Sequence, residues 1–245
     1  MKIIVVSNYD EMSKIAAEFI AKEIKSNRNP VLGLATGGTP LGTYKELIQM
    51  HKKGALDFTG VKTFNLDEYL GLGPKDKNSY NFFMWDNLFK HINVSPANVQ
   101  IPKGDTDNPD QFCKQYEDNI KRSGGIDLQL LGIGRDGHIA FNEPGSPFDS
   151  RTRVVGLSQE TIEDNARFFE KGQEVPRQAI TMGVGTILEA KKILLIANGA
   201  KKADICVKFI EGKPTEEISA SALQRHKDVT IILDKEAASK LKNKK

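Results

Sequence analysis

The stretch Ile126–Glu143, IDLQLLGIGRDGHIAFNE, is the most informative about the fold. In it a mostly apolar run ends in glycines, and a polar segment follows. Its first part, Ile126–Ile133, has the length and apolar character of a buried β-strand. Directly after this run the chain presents Asp136, His138 and Glu143 within eight positions. Histidine titrates near neutral pH, and neighbouring carboxylates tune it. The stretch therefore predicts a strand that carries a proton-transfer site at its carboxyl end.

Short apolar runs of the same kind recur along the chain. They are Ile3–Val6, Val31–Ala35, Val61–Leu66, Ala179–Met182, Ile193–Ala197 and Val229–Leu233. Helical patterns lie between most of them: one capped by Asn8 or Asp10, and others at Leu41–Lys53, Tyr80–His91, Pro109–Arg122, Thr161–Phe169 and Lys201–Glu211. Strands that alternate with helices predict an α/β fold, with a mostly parallel open sheet that is Rossmann-like and has helices on both faces.

Composition narrows the class of protein. At 245 residues and 39% apolar content the chain can bury a substantial core, and we expect one domain over residues 1–245. The net charge of +3 arises largely in the tail Lys240–Lys245, and no basic stripe interleaved with aromatics occurs elsewhere, so we expect no nucleic-acid partner. We also expect no membrane partner, since no apolar stretch approaches about 18 residues. Cys113 and Cys206 lie far apart, which predicts neither a disulfide framework nor a zinc site and favours the cytoplasm.

Three polar segments follow predicted strands. They are Thr36–Pro40 after the second strand, Asn65–Tyr69 after the third, and Asp136–Glu143. In open parallel sheets, ligands bind beyond the carboxyl ends of the strands. Because three separate segments converge on one edge, the sequence predicts a pocket there.

The loop Thr36-Gly37-Gly38-Thr39-Pro40 joins a buried-type strand to a helix. Its glycines let backbone amides approach an anion, and the helix N-terminus adds favourable partial charge. Thr39 can add a hydroxyl donor. The alternative is a tight turn with Pro40 in the first turn of the helix, and the loop alone does not decide between the two.

Two groups of acidic residues each admit more than one interpretation. Asp67 and Glu68 are adjacent, so their side chains should point to different faces and one would face the pocket; a helix cap or a surface salt bridge is the alternative. The set Asp136, His138 and Glu143 suits acid/base chemistry, or more weakly a divalent metal. A purely structural network is a third interpretation, although burying two carboxylates for stability alone is costly.

Arg167 and Lys202 are candidate cations for this edge. Either could be an ordinary surface residue. If both reach the pocket, they supply the positive charge that a phosphate group needs, and Arg can bind it through paired donors.

With these residues in view, the chain closely resembles the glucosamine-6-phosphate deaminase family, whose fold is shared with 6-phosphogluconolactonase. The resemblance runs nearly end to end, and its specific parts are Leu34–Pro40, Phe64–Tyr69, Gly137–Pro144, Ser150–Arg153, Ala166–Phe169 and Thr181–Thr186. It implies conversion of glucosamine 6-phosphate and water to fructose 6-phosphate and ammonia, with no metal or organic cofactor.

The resemblance also implies a role for each site residue. Asp67 matches the family's base for enolisation. His138 matches the acid/base that opens the sugar ring, with Asp136 and Glu143 as the partners that orient it. The implied phosphate-binding residues are Gly37, Gly38, Thr39, Arg167 and Lys202, and residues 158–177 resemble the family's mobile lid.

Two departures from the family pattern bear on regulation. Some larger members are hexamers activated by N-acetylglucosamine 6-phosphate through a serine-rich loop and an Arg-x-Lys pair. This chain has Gly145-Ser146-Pro147-Phe148 in that loop and Arg153-Val154-Val155 in place of the pair. We therefore expect weak or absent activation, and a homo-oligomer remains an open alternative.

Two other functions compete with the deaminase. A 6-phosphogluconolactonase shares the Asp-Gly-His core of the motif but lacks the run Phe141-Asn142-Glu143, which favours the deaminase. A sugar-phosphate sensor would bind without turnover, and it has no need of an intact proton-transfer set.

Overall fold

Ten strands form the framework of the computed structural model, which describes residues 1–166, 169 and 174–242. Seven of them make one sheet in the order β1-β10-β9-β6-β2-β3-β5, with every neighbouring pair parallel. Their bounds are β1 Lys2–Val6, β2 Val31–Leu34, β3 Lys62–Asn65, β5 Val99–Gln100, β6 Leu128–Leu131, β9 Lys192–Ala197 and β10 Val229–Asp234. The other three, β4 Asp67–Tyr69, β7 Arg153–Gly156 and β8 Gln178–Thr181, make a small sheet in the order β4-β8-β7.

Three inner strands of the large sheet are buried along their whole length. Every residue of β2, β6 and β10 is buried. Because successive side chains of a strand point to opposite faces, such strands must be covered on both sides. The predicted α/β fold with a mostly parallel sheet is thereby confirmed.

Seven α-helices cover the sheets within the described residues. Their bounds are α1 Tyr9–Ser26, α2 Leu41–Lys52, α3 Tyr80–Asn87, α4 Pro109–Arg122, α5 Gln159–Ala166, α6 Val184–Leu188 and α7 Ala203–Glu211. Asn8 is the cap of α1, where its side chain accepts from the Glu11 amide. The pattern predicted over Tyr80–His91 breaks at Leu88, whose ψ of −63° and φ of −141° are not helical, and a 3-10 turn follows. Among these helices, none combines the length and apolar character needed to cross a membrane.

The small sheet corrects two expectations. Ala179–Met182 was expected in the parallel sheet, but β8 pairs antiparallel with both β4 and β7. Asp67 and Glu68 were expected beyond a strand end, but they begin a new strand one residue after β3. The physical reason is a single connecting residue: the Leu66 carbonyl accepts from the Met182 amide at 2.7 Å, so backbone pairing continues on a different partner.

Candidate active site

Four neighbouring strands of the large sheet bring the candidate segments to one edge. Strands β9, β6, β2 and β3 are consecutive and parallel. Their carboxyl ends lead to Lys202, to Asp136–Glu143, to Gly37–Thr39 and to Asp67, respectively. Since parallel strands end at the same edge, four segments that are distant in sequence follow strand ends there; the strand pattern predicted three of them and left Lys202 open.

His138 and Asp136 form a close pair. The distance from His138 Nδ1 to the Asp136 carboxylate is 2.8 Å, and both side chains are about one-fifth exposed, at 22% and 19%. Burial opposes ionisation of Asp136, but the hydrogen bonds and charge of His138 outweigh it and lower the pKa of Asp136. The pair is thus an imidazole with an ionised carboxylate beside one ring nitrogen, and its other ring nitrogen has no hydrogen-bond partner among the described residues.

Gly134 provides the space for this pair. A Cβ on Gly134 would lie 2.4 Å from His138 Cε1 and 2.6 Å from the Asp136 carboxylate. The Gly134 amide also donates to the His138 carbonyl at 2.8 Å, which closes the turn. No side chain larger than hydrogen fits at residue 134 unless His138 or Asp136 moves.

Glu143 lies beside the pair with one oxygen committed. Its Oε1 accepts from the Ser158 amide at 3.1 Å, while Oε2 is buried and has no hydrogen-bond partner among the described residues. The ligand atoms of Asp136, His138 and Glu143 all lie within 4.8 Å of one another. This geometry leaves an acceptor for a substrate hydroxyl, and it is also the one grouping in the described chain that could hold a divalent cation.

The backbone between His138 and Glu143 is held by Ser219. The Ser219 hydroxyl accepts from the Ile139 amide at 3.1 Å and donates to the Asn142 carbonyl at 2.8 Å. Ala140, between them, has a φ of +53°, a left-handed conformation that costs energy for a residue with a side chain. The surrounding hydrogen bonds hold this strained turn in place.

Asp67 joins this site through β8. In the antiparallel register it lies opposite Thr181, and the Thr181 hydroxyl accepts from the Phe141 amide at 3.0 Å. The side chain is only 6% exposed. Burial, followed by the neighbouring Glu68 carboxylate, raises the pKa of Asp67 to about 8. A carboxylate of this pKa is matched to proton abstraction near neutral pH.

Glu68 acts as a helix cap, which was one of the alternatives that the sequence left open for the acidic pair. Its carboxylate accepts from the amides of Tyr80 and Asn81, at 2.9 and 2.8 Å, in the first turn of α3, and from its neighbour Tyr69 at 2.9 Å. Burial raises the pKa of Glu68 to about 7, against the effect of these amides. Of the two adjacent carboxylates, Asp67 is therefore the one without a structural commitment to a helix.

The glycine loop after β2 presents unused backbone donors. The amides of Gly37, Gly38 and Thr39 make no hydrogen bond to any residue that the structure describes. Gly37 has a φ of +90°, a conformation that turns successive amides toward a common point and that favours glycine. Three free amides at the start of α2 suit an anion.

Of the two candidate cations, only Lys202 lies among the described residues. Lys202 is half-buried and ends a 3-10 turn, Ala200–Lys202, that follows β9. The Asp234 carboxylate holds this turn by accepting from the Gly199 amide at 3.0 Å. Arg167 lies outside the described residues, as does most of the segment from residue 167 to residue 173.

Sequence reasoning missed Thr181, Gly134 and the Ser158 amide. Thr181 lies inside the apolar run Ala179–Met182, and its role depends on an antiparallel pairing that hydrophobic pattern alone does not reveal. Gly134 is one of several glycines in its stretch, and only the position of His138 distinguishes it from Gly132. A backbone amide such as that of Ser158 leaves no signal in the sequence.

Comparisons with known proteins agree over nearly the whole chain. The model of a family described as glucosamine-6-phosphate isomerases/6-phosphogluconolactonase matches residues 7–232. A glucosamine-6-phosphate deaminase of Thermoanaerobacter sp. (strain X514) is 54% identical over 239 residues, 98% of this chain and 94% of the relative. A solved structure of a monomeric glucosamine-6-phosphate deaminase is 49% identical with a TM-score of 0.96, covering 98% of this chain and 100% of that one. A 6-phosphogluconolactonase from Trypanosoma cruzi is 24% identical with a TM-score of 0.77, covering 99% and 97%, a likeness of fold alone.

Proposed function

The chain belongs to the family of glucosamine-6-phosphate isomerases and 6-phosphogluconolactonases, and from this membership we propose that it converts glucosamine 6-phosphate and water to fructose 6-phosphate and ammonia. The observation that carries the proposal is the link between two proton-transfer groups. Asp67 lies opposite Thr181, whose hydroxyl holds the loop that bears His138 and Glu143. An isomerisation followed by deamination needs two such groups, since it opens a ring and then moves a proton between carbons.

The phosphate group binds at the glycine loop. The free amides of Gly37, Gly38 and Thr39 supply hydrogen-bond donors, and the N-terminus of α2 adds favourable partial charge. Lys202 and Arg167 provide the opposite charge, and Arg does so through paired donors. The sugar then extends from the loop toward Asp67 and His138.

Ring opening is the task of His138. The imidazole gives a proton to the ring oxygen as the bond from that oxygen to C1 breaks, and it takes up the proton that the C1 hydroxyl loses as the aldehyde forms. Asp136, whose carboxylate lies 2.8 Å from Nδ1, holds the ring in position. Glu143 accepts hydrogen bonds from substrate hydroxyls through Oε2, the oxygen that has no hydrogen-bond partner among the described residues.

Enolisation is the task of Asp67. Its carboxylate removes the proton from C2 of the open-chain sugar while the C1 oxygen gains a proton, which gives an enolamine. The same proton returns to C1, so the nitrogen becomes an imine at C2. Water adds to C2 of the imine. The carbon–nitrogen bond then breaks, so that ammonia leaves and C2 becomes the carbonyl of fructose 6-phosphate.

A lid over residues 158–177 is part of the proposal. Two hydrogen bonds support it at its base: the Leu157 amide donates to the Arg177 carbonyl at 2.9 Å, and the Ser158 amide donates to Glu143. A segment fixed at its two ends and bonded to a catalytic carboxylate can exclude water from the enolamine when it closes.

We further propose that residues 1–245 act as one domain and that the protein works in the cytoplasm, where its two free, buried cysteines stay reduced.

The test is product analysis with two substrates in parallel. Glucosamine 6-phosphate is incubated with the enzyme and excess chelator, and ammonia and fructose 6-phosphate are quantified; 6-phosphogluconolactone is assayed beside it. We expect equal amounts of ammonia and fructose 6-phosphate, unaffected by chelator. Lactone hydrolysis without deamination would assign the chain to the other branch of the family, and binding without turnover would make it a sensor.

A further inference from the structure

Tyr9 is the first residue of α1, and the helix cap fixes its position. The Asn8 side chain accepts from the Glu11 amide at 3.0 Å, and the Glu11 carboxylate accepts from the Ser7 amide at 2.6 Å. The two bonds tie residues 7 and 8 to the first turn of the helix, as a capping box does. The tyrosine therefore leaves the helix from a defined point.

The Tyr9 hydroxyl crosses to the glycine loop, 29 positions along the chain. It donates to the Gly38 carbonyl at 3.2 Å and accepts from the Gly42 amide at 2.8 Å. A Cβ on Gly42 would lie 2.2 Å from the Ser13 hydroxyl and 2.9 Å from the Tyr9 ring. Glycine at position 42 thus permits the close approach of α1 and α2 that brings the hydroxyl within reach.

This bond sets the direction of a neighbouring amide. The Gly38 carbonyl and the Thr39 amide belong to one peptide group, and no peptide bond in the described chain is cis. In a trans peptide the C=O and N–H point in opposite directions. With the Gly38 carbonyl turned toward Tyr9, the Thr39 N–H is turned away from it.

We propose that Tyr9 is a positioning residue for the phosphate group of the substrate, because its hydroxyl fixes the Gly38–Thr39 peptide with the N–H toward the anion. The Leu41 amide also donates to the Gly38 carbonyl, at the longer distance of 3.4 Å. Without the Tyr9 bond the peptide keeps only this longer contact and can rotate to present the carbonyl, which repels a phosphate. The bond to the Gly42 amide works in the same direction, since it anchors the hydroxyl to the first turn of α2. The inference deepens the proposed function and rests on it for the identity of the anion.

The test replaces the hydroxyl alone, with Tyr9→Phe. Affinity for inorganic phosphate is measured by calorimetry, and KM and kcat are measured with glucosamine 6-phosphate. We expect phosphate to bind about 3- to 10-fold more weakly, the value of one hydrogen bond, with KM raised by a similar factor and kcat within about twofold. Ser26→Ala is the matched control, because it removes a hydroxyl from the far end of the same helix, where among the described residues it donates to the Glu23 carbonyl alone. That variant should leave all three quantities unchanged.

A second measurement separates positioning from stability. In amide-resolved NMR of the wild type, the Thr39 amide should shift on titration with inorganic phosphate, and in Tyr9→Phe this shift should shrink. Equal phosphate affinity in the two proteins would overturn the proposal, and so would a fall in kcat with KM unchanged. Because phosphate binding is measured without turnover, a wild type that binds phosphate through Tyr9 but releases no ammonia would sustain this inference and refute the proposed function.

Discussion

Asp67 lies opposite Thr181 in the antiparallel register of β4 and β8, and this pairing joins the two halves of the site. One half is the strand that carries the buried carboxylate. The other is the His138–Glu143 loop, whose Phe141 amide donates to the Thr181 hydroxyl at 3.0 Å. The small antiparallel sheet therefore carries the proposed base on β4 and, through Thr181 of β8, sets its position relative to the loop that bears the imidazole.

Replacing Thr181 by Val should disturb the catalytic loop. The buried Phe141 amide would lose its acceptor, which costs about 1–3 kcal/mol in the free energy of unfolding, and the displaced loop should lower kcat about 10-fold. Thr63→Val is the control, since the Thr63 hydroxyl is buried but has no hydrogen-bond partner among the described residues. Denaturant unfolding and steady-state rates measure both effects. Equal behaviour of the two variants would contradict the role given to Thr181.

Replacing Gly134 by Ala should displace the His138–Asp136 pair. The added Cβ would lie 2.4 Å from His138 Cε1, so the ring must move, and we expect kcat/KM to fall about 10- to 100-fold. Gly132→Ala is the control two residues earlier, because a Cβ there meets no atom within 4 Å. Full activity in Gly134→Ala would show that the observed position of His138 is not required.

The raised pKa of Asp67 predicts how activity depends on pH. Its base form is populated only as pH rises through about 8, so kcat/KM should increase with pH across the neutral range. Asp67→Asn should abolish turnover and leave inorganic phosphate binding intact. A rate profile already flat from pH 5 upward would contradict the assignment of Asp67 as the base.

The same shift predicts how stability depends on pH. Between about pH 4 and 8 the folded protein keeps a proton on Asp67 that the unfolded chain has lost, so the free energy of unfolding falls as pH rises. Asn at position 67 does not titrate. Asp67→Asn should therefore be more stable than the wild type at pH 8, by an amount on the order of 2–5 kcal/mol, and the difference should vanish near pH 4. Chemical unfolding at a series of pH values measures it.

Removing the amine of Lys202 should weaken phosphate binding. We expect Lys202→Ala to raise KM for glucosamine 6-phosphate about 10-fold or more with a smaller change in kcat, because the charge acts on a non-reacting group. Lys201→Ala, the exposed neighbour on the same turn, should have little effect. Similar KM values in the two variants would remove Lys202 from the phosphate site.

The sequence predicted the large sheet well because its strands are short, apolar and separated by amphipathic helices. Six of the seven apolar runs became strands of that sheet, and the cap at Asn8 and the bounds of α4 agree with the structure. Hydrophobic pattern reports burial, and in this sheet burial and parallel pairing go together.

The small sheet could not be predicted, since β4 has only three residues and β7 alternates weakly. Its pairing depends on contacts between Asp67 and Thr181, more than 100 positions apart, that no local pattern encodes. For the same reason the sequence left Asp67 and Glu68 undivided. Their roles can be told apart only in the folded structure, where the Glu68 carboxylate accepts hydrogen bonds from backbone amides at the start of α3. That helix begins at Tyr80, 12 positions further along the chain.

The most direct test of proton transfer by this site uses glucosamine 6-phosphate with deuterium at C2. We predict that the wild type releases ammonia more slowly from this substrate than from the unlabelled one, and that the product is fructose 6-phosphate with deuterium at C1 or lost to solvent. Ammonia released with deuterium still at C2 of an aldose 6-phosphate would mean direct displacement of the amine, which would contradict enolisation by Asp67.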